Sequence, residues 1–303
     1  MDLSKIPHIV LLIVTMASCL GVGIAKNSFS KNVSSTQRGY QIFNMVSSAI
    51  CALVILAYSG FKLDGSIYSL IIGALFGIVT AIAAIFNLAA VSIGPLSYTT
   101  VIISSSTVIT AISGLFFGEI PSIPQWIGIA FMMVCIVLAT KKKEDDRNKK
   151  TSVKWLVFSF LAAIFTAGVG LLQKVHQESD HSDELSLMLF IAFIVSTLFS
   201  FVLYLISLKK DPPIFAQKNG SKKKAAILLG ALLFVVGIAI ALNNIINLYL
   251  VGVMKSAVFF PIINGGHLIL STLAGLLLFK EKLTAKQWIG IIFGIAATFL
   301  LCF

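Results

Sequence analysis

From Ile67 to Val91 the chain runs IYSLIIGALFGIVTAIAAIFNLAAV, twenty-five residues without one charged side chain. A helix needs about 20 such residues to cross a hydrocarbon core about 30 Å thick, because lipid offers backbone N–H and C=O groups no partner and the helix must satisfy them itself. Nine further runs are apolar in the same way, with Lys154, Lys174 and Lys286 their only charged residues: Pro7–Ala25, Gln41–Ser59, Pro95–Gly118, Gln125–Thr140, Val153–Val175, Leu185–Leu208, Ala225–Val251, Val258–Phe279 and Ala285–Phe303. Charged residues make up only 12% of the chain, about half the share of a soluble domain. The fold class predicted is an all-α membrane protein with ten transmembrane helices. Trp126, Trp155 and Trp288 each fall in the first turn of a run, where an amphipathic ring prefers the headgroup level. The first run is read as a retained span, since its basic flank is weak and its apolar stretch is long for a cleaved leader. Cys19, Cys51, Cys135 and Cys302 lie in separate runs without metal-ligand spacing and read as small core residues.

One junction is written twice. The string Gln-Trp-Ile-Gly begins at Gln125 and again at Gln287, 162 residues later, each time with a glutamate, Glu119 or Glu281, six residues upstream. Gly21-Val22-Gly23 similarly resembles Gly168-Val169-Gly170. Between the copies stands KKKEDDRNKK, with nine charged residues in ten, a solvated linker that no bilayer accepts. The domains expected are residues 1–140, a charged cytoplasmic linker at 141–152, and residues 153–303. Five spans per copy is an odd number, so the second copy enters the membrane from the opposite side. Two inverted five-helix repeats enclosing a midplane site are the architecture of secondary transporters.

The net charge of +11 is unevenly spread. Counting alternate loops places 19 basic residues on one face and only Lys5, Lys62, Lys174 and Lys255 on the other. Basic loops stay in the cytoplasm, so both termini are expected outside the cell membrane. A basic face against anionic lipid headgroups accounts for the charge and excludes nucleic acid as a partner.

Two five-span halves, each closing with a small-residue helix, a Gly/Lys-Glu turn and a Gln-Trp-Ile-Gly helix start, resemble the EamA-type branch of the drug/metabolite transporter superfamily. The resemblance is strongest over Gly94–Thr140 and Ser256–Phe303. It implies a ten-helix carrier with a central polar cavity, working without ATP on substrates from amino acids to sugars and nucleotide derivatives. Small multidrug exporters of the same superfamily exchange cations for protons on a membrane-embedded carboxylate. Here all twelve Asp and Glu residues fall in loops or at helix ends, which argues against that mechanism.

Polar side chains inside apolar spans are costly and by default face a cavity. His267, in PIINGGHLILST, has an imidazole that can bind an anion or carry a coupling proton; an interhelical hydrogen bond from a neutral ring is the alternative. The 162-residue offset sets Ser105 opposite it, beside Ser104 in a Ser-Ser-Ser-Thr run. Asn243 and Asn247 stand one turn apart on one helix face, offering the donors and acceptors that recognition of a sugar, amide or nucleobase requires. Helix-to-helix adhesion is the competing role. Asn87 and Asn264 are candidates of the same type. Lys26 and Lys174 form a symmetric pair that suits an anionic substrate, although each stands near a helix end where its ammonium can reach the headgroups. The loop VHQESDHSDE matches no metal-ligand spacing, and no metal or cofactor is expected. Gly73–Gly77 and Gly290–Gly294 have the Gly-x-x-x-Gly spacing of close helix packing.

The function expected is carriage of a small polar organic metabolite across the cytoplasmic membrane by alternating access, through exchange or proton coupling. No Gly-x-x-x-x-Gly-Lys-Ser/Thr phosphate loop occurs. A passive channel is the first alternative. An intramembrane hydrolase pairing a serine of span four with His267 is the second, although it lacks a third orienting group. The partners expected are the lipid bilayer and a small-molecule substrate, with a homodimer left open.

Overall fold

The computed structural model describes residues 3–32, 36–93, 99, 102–139, 153–208, 222–279, 284–301 and 303; the linker at 141–152, Glu281 and the side chain of Lys26 lie outside the described residues. Among the described residues every regular element is helical. The α-helices are α1 (His8–Asn32), α2 (Gln37–Tyr58), α3 (Ile67–Ile93), α4 (Ser106–Ser113), α5 (Ile123–Ala139), α6 (Val153–Gln177), α7 (Leu185–Ser207), α8 (Lys222–Val253), α9 (Ser256–Phe279) and α10 (Ala285–Leu301). Six of them, α1 to α3 and α6 to α8, are long and apolar enough to cross a membrane; α4, α5, α9 and α10 contain shorter apolar stretches. At 17 residues each, α5 and α10 are about 26 Å long, a few ångströms short of an average hydrocarbon core.

The repeated junction has a local cause. The Ser122 N–H donates to Gln125 Oε1 (3.0 Å) while the Gln125 N–H donates to Ser122 Oγ (3.4 Å). At the second junction the Thr284 N–H donates to Gln287 Oε1 (2.9 Å) and the Gln287 N–H to Thr284 Oγ1 (3.4 Å). Each is a capping box, Ser/Thr-x-x-Gln, in which two orphan donors of a helix start satisfy each other's side chains. The fifth helix therefore begins at Ile123, two residues before the expected Gln125. Gln125 and Gln287 are buried because each side chain folds back on its own turn.

The chain divides into two compact units, Met1–Ala81 with Asp180–Tyr249, and Ile82–Ser179 with Leu250–Phe303. In the first, α2 packs along α7, and Phe29, Phe43, Leu233 and Val236 form a core shared by α1, α2 and α8. The Gly73–Gly77 spacing on α3 is a packing feature, as expected: a Cβ at Gly73 would strike the Met188 carbonyl of α7, and one at Gly77 would lie 2.6 Å from the Ala192 carbonyl. Glu184, on the turn Ser182–Glu184, accepts from the N–H (2.8 Å) and Oγ (2.7 Å) of Ser66 and so caps the start of α3. Hydrogen bonds from Ser69, Ser66 and His181 hold this carboxyl well below the usual carboxylate range, at about 2.

In the second unit α5 lies along α10, and α9 packs on α4, α5 and α10. A Cβ at Gly128 would meet Leu301 and Ala297, and one at Gly294 would meet Cys135 and Ile269. These pairings make α5 and α10 antiparallel. At their crossing the rings of Phe131 and Phe293 meet edge-on, with centroids 5.1 Å apart. The two phenylalanines are 162 residues apart and sit at the midpoints of equal helices. Equivalent residues of two segments touch each other only close to an axis that exchanges those segments. Trp155 departs from expectation: it is buried, with its indole N–H donating to Thr99 Oγ1 at 2.8 Å. A ring with an internal partner has no need of the headgroups. Trp126 and Trp288 are exposed.

Candidate functional site

The polar side chains anticipated within the spans separate into those whose polar atoms each have a partner and those with a polar atom that has none among the described residues. Asn243 and Asn247 belong to the first kind. Thr15, fully buried in α1, donates its hydroxyl to Asn247 Oδ1 (3.2 Å). Asn247 Nδ2 donates to Asn243 Oδ1 (3.1 Å), and Asn243 Nδ2 donates to the Thr15 carbonyl (3.0 Å). The ring closes α1 onto α8. Asn244 donates instead to the Ile240 carbonyl of its own helix (2.9 Å). Of the two roles weighed for these asparagines, adhesion is the one this geometry displays. Thr15 was absent from the sequence candidates; its signal was an isolated hydroxyl in an otherwise aliphatic turn.

Lys174 also has every donor engaged. Its Nζ lies 2.7 Å from Glu119 Oε1 and 2.7 Å from Glu178 Oε1, and donates to the Val251 carbonyl at 3.1 Å. The side chain is 1% exposed, so the ammonium points inward and does not reach toward headgroups. Three acceptors around three N–H donors leave none for a substrate anion. Glu119, quoted above only as the residue upstream of the junction, also accepts from the Ser256 N–H at 2.7 Å. It thereby caps α9 as Glu184 caps α3.

The capacity left over gathers on α4 and α9. Each carries a local irregularity, a break before α4 and a proline within the continuous α9. The helical turn Ile102–Ser104 gives way at Ser105 to a tighter turn before α4 resumes, with the Val108 N–H bonded to the Ser105 carbonyl and Ser105 Oγ turned back to Ile102 O at 2.5 Å. α9 carries Pro261 in its interior, which deprives one carbonyl of the preceding turn of its N–H partner. The helices are joined where Asn264 Nδ2 donates to the buried Thr107 Oγ1 at 3.0 Å. Asn264 is nevertheless exposed, and among the described residues no donor reaches its Oδ1. His267 follows three residues later on the same face of α9. It is half-buried, and none of the described residues hydrogen-bonds to its ring. The opposite face of α9 is fully occupied: Gly265 meets Met132 and Ile269 meets Gly294.

An exposed amide next to an imidazole on an apolar helix is expensive against hydrocarbon. The Asn264–His267 face is therefore the candidate site. Ser104 and Ser105 lie half-buried just before α4, and Asn87 is exposed on α3. Among the described residues no group of three His, Cys, Asp or Glu side chains is placed to hold a metal.

Residues 153–303 match the EamA-like transporter family. Among solved structures 28 chains match, one of them a crystal structure aligned over 96% of this chain and 94% of its own, with a TM-score of 0.70 at 10% identity. At that identity the likeness is one of fold. No curated protein matches the chain.

Proposed function

The chain belongs to the EamA-like transporter family, matched over its second half, and on that premise we propose that it carries a small polar organic metabolite across the cytoplasmic membrane by alternating access, without ATP. It is a multi-pass membrane transporter of the drug/metabolite type; substrate class and mechanism are the reading put forward here. One observation carries it. The fourth and ninth apolar segments, which correspond in the two halves, carry a tight turn at Ser105 and a proline, Pro261, within the otherwise continuous α9, and the Asn264–Thr107 bond joins them beside an exposed amide and His267. Interrupted helices in corresponding positions of two halves mark solute sites in inverted-repeat carriers.

The repeat reading is supported by the antiparallel α5–α10 pair with its equivalent phenylalanines. The count of ten spans has separate support. Glu184 links the turn before α7 to the start of α3, and Glu119 links the turn before α5 to the start of α9. All four places fall on the same side of the bilayer if every apolar run crosses it. In this reading the basic loops are cytoplasmic and both termini are outside.

The test is flux through the purified protein in sealed vesicles. Saturable uptake of a thermally stabilising metabolite, accelerated by the same solute on the far side, is the expected result. Asn264→Ala and His267→Ala should each lower it tenfold or more with melting unchanged. Flux without saturation or trans-acceleration would convert the reading to a channel. Wild-type uptake in both variants would remove this face from the path.

A further inference from the structure

The buried Lys174 cluster stands in register with the Asn264–His267 face. On α9, Ser256, Phe260 and Asn264 follow at four-residue steps and so lie one above another on one side of the helix. Thr107 and Thr110 of α4 and Gly114 of its 3-10 tail (Gly114–Phe117) do the same. Three tiers result. The first is the Asn264–Thr107 bond. In the second the Phe260 ring and the Thr110 methyl meet over Gly170 of α6, where a Cβ would lie 2.8 Å from each. In the third Ser256 and Glu119 close on Gly114, where a Cβ would strike the carboxylate. Lys174, one turn beyond Gly170, reaches across this third tier to Glu119 (2.7 Å) and the Val251 carbonyl (3.1 Å). Phe260 and Thr110 are buried, so the apolar middle tier separates the Asn264 amide from the charged one.

The seam between α6 and the α4–α9 pair can part without stranding a charge. α4 and α9 are tied to each other by the Asn264–Thr107 bond and by Glu119, which follows the tail of α4 and accepts from the Ser256 N–H at 2.7 Å. α6 faces them with a glycine, which has no side chain to interlock, and with Lys174. On leaving Glu119, Lys174 keeps Glu178, 2.7 Å away and one turn along its own helix. Glu119 keeps the Ser256 N–H at the positive end of α9. The Ser256 hydroxyl, buried and without a partner among the described residues, is a second donor on the same residue. Opening a buried pair is costly when one member is left bare; here each retains a partner. The turn at Ser105 and Pro261 are the weak points at which these ends of α4 and α9 can bend away from the remainder.

We propose that Lys174 is the latch of a gate over the Asn264–His267 face. Paired with Glu119 it holds Phe260 and Thr110 against Gly170; left with Glu178 alone it frees them to part from α6 and admit solute. The purpose of the gate rests on the carrier reading, whereas its movement is measured without any solute, so failure of one is distinguishable from failure of the other.

The experiment places a thiol in the seam as Thr110→Cys and measures its rate of modification by N-ethylmaleimide in the purified full chain, with labelled peptides identified by mass spectrometry. Cys135, buried between α5 and α10, is the internal control for general loosening. Adding Glu119→Gln, which keeps an acceptor for Ser256 and loses the charge, is expected to speed modification at position 110 about tenfold with Cys135 unchanged. Adding Glu178→Gln is expected to slow it about threefold, because the open arrangement would then leave the ammonium without a carboxylate. A static staple requires the opposite sign, since losing either carboxylate weakens it. The Glu178 side chain is 38% exposed, so this variant carries the test even if Glu119→Gln fails to fold. No change with Glu119→Gln, an unchanged or faster rate with Glu178→Gln, or equal acceleration at Cys135 would each overturn the latch.

Discussion

Replacing Lys174 by methionine removes the positive member of a buried charge cluster while conserving its apolar stem. Glu119, 15% exposed, is left without its cation and, among the described residues, retains the Ser256 N–H. The Val251 carbonyl loses its donor, and Glu178, 38% exposed, is released to solvent. Stranding one partner of a buried pair costs about 3–5 kcal/mol. The exposure of the two carboxylates brings the charge part down to about 2 kcal/mol, and the lost bond to Val251 restores about 1 kcal/mol. The sum, about 3 kcal/mol, corresponds to a fall of about 6 °C in melting temperature for a chain of this size. A thermal melt in detergent, followed by intrinsic fluorescence, measures it. Glu178→Gln should cost under about 1 kcal/mol, since that pair is largely screened. The double variant Lys174→Met/Glu119→Gln should be less damaged than the two single losses combined, because it removes both charges and keeps an acceptor for Ser256. If Lys174→Met melts with the wild type, or if the single losses simply add, the cluster is not coupled as its distances imply.

Thr15→Val leaves Asn247 Oδ1 without its donor and should cost about 1 kcal/mol in a melting experiment, with Thr15→Ser restoring the wild-type value. Gly77→Leu drives a side chain into the Ala192 carbonyl of α7 and should lower the yield of folded protein and cost at least about 2 kcal/mol, whereas Gly21→Leu should leave folding intact. Glu184 has a folded-state pKa of about 2, below the ordinary 4.5, so its stabilising contribution is complete above the ordinary value and is lost as pH falls from about 4.5 toward 2. Melting temperatures of Glu184→Gln and wild type should therefore differ at pH 7 and converge in that acid window; a constant difference across it would show that the carboxylate charge is not what ties Ser66 to this turn.

The sequence by itself determined the class of environment and the number of apolar segments, because hydrocarbon imposes a length and a composition that nearby residues alone can satisfy. It also located the repeated junction, although the reason for it, a reciprocal pair of caps, became visible only when Ser122 was seen facing Gln125 and Thr284 facing Gln287. Tertiary structure decided which polar side chains remain available. Asn243, Asn247 and Lys174 looked as suitable as Asn264 and His267, since composition records what a side chain can donate or accept and not where its partners stand. Those partners are Thr15, 228 residues from Asn243, Glu119 in the turn before α5, and the Val251 carbonyl. Such long-range pairings consume hydrogen-bonding capacity that no local pattern can reveal, and what they leave unconsumed at Asn264 and His267 is the candidate site.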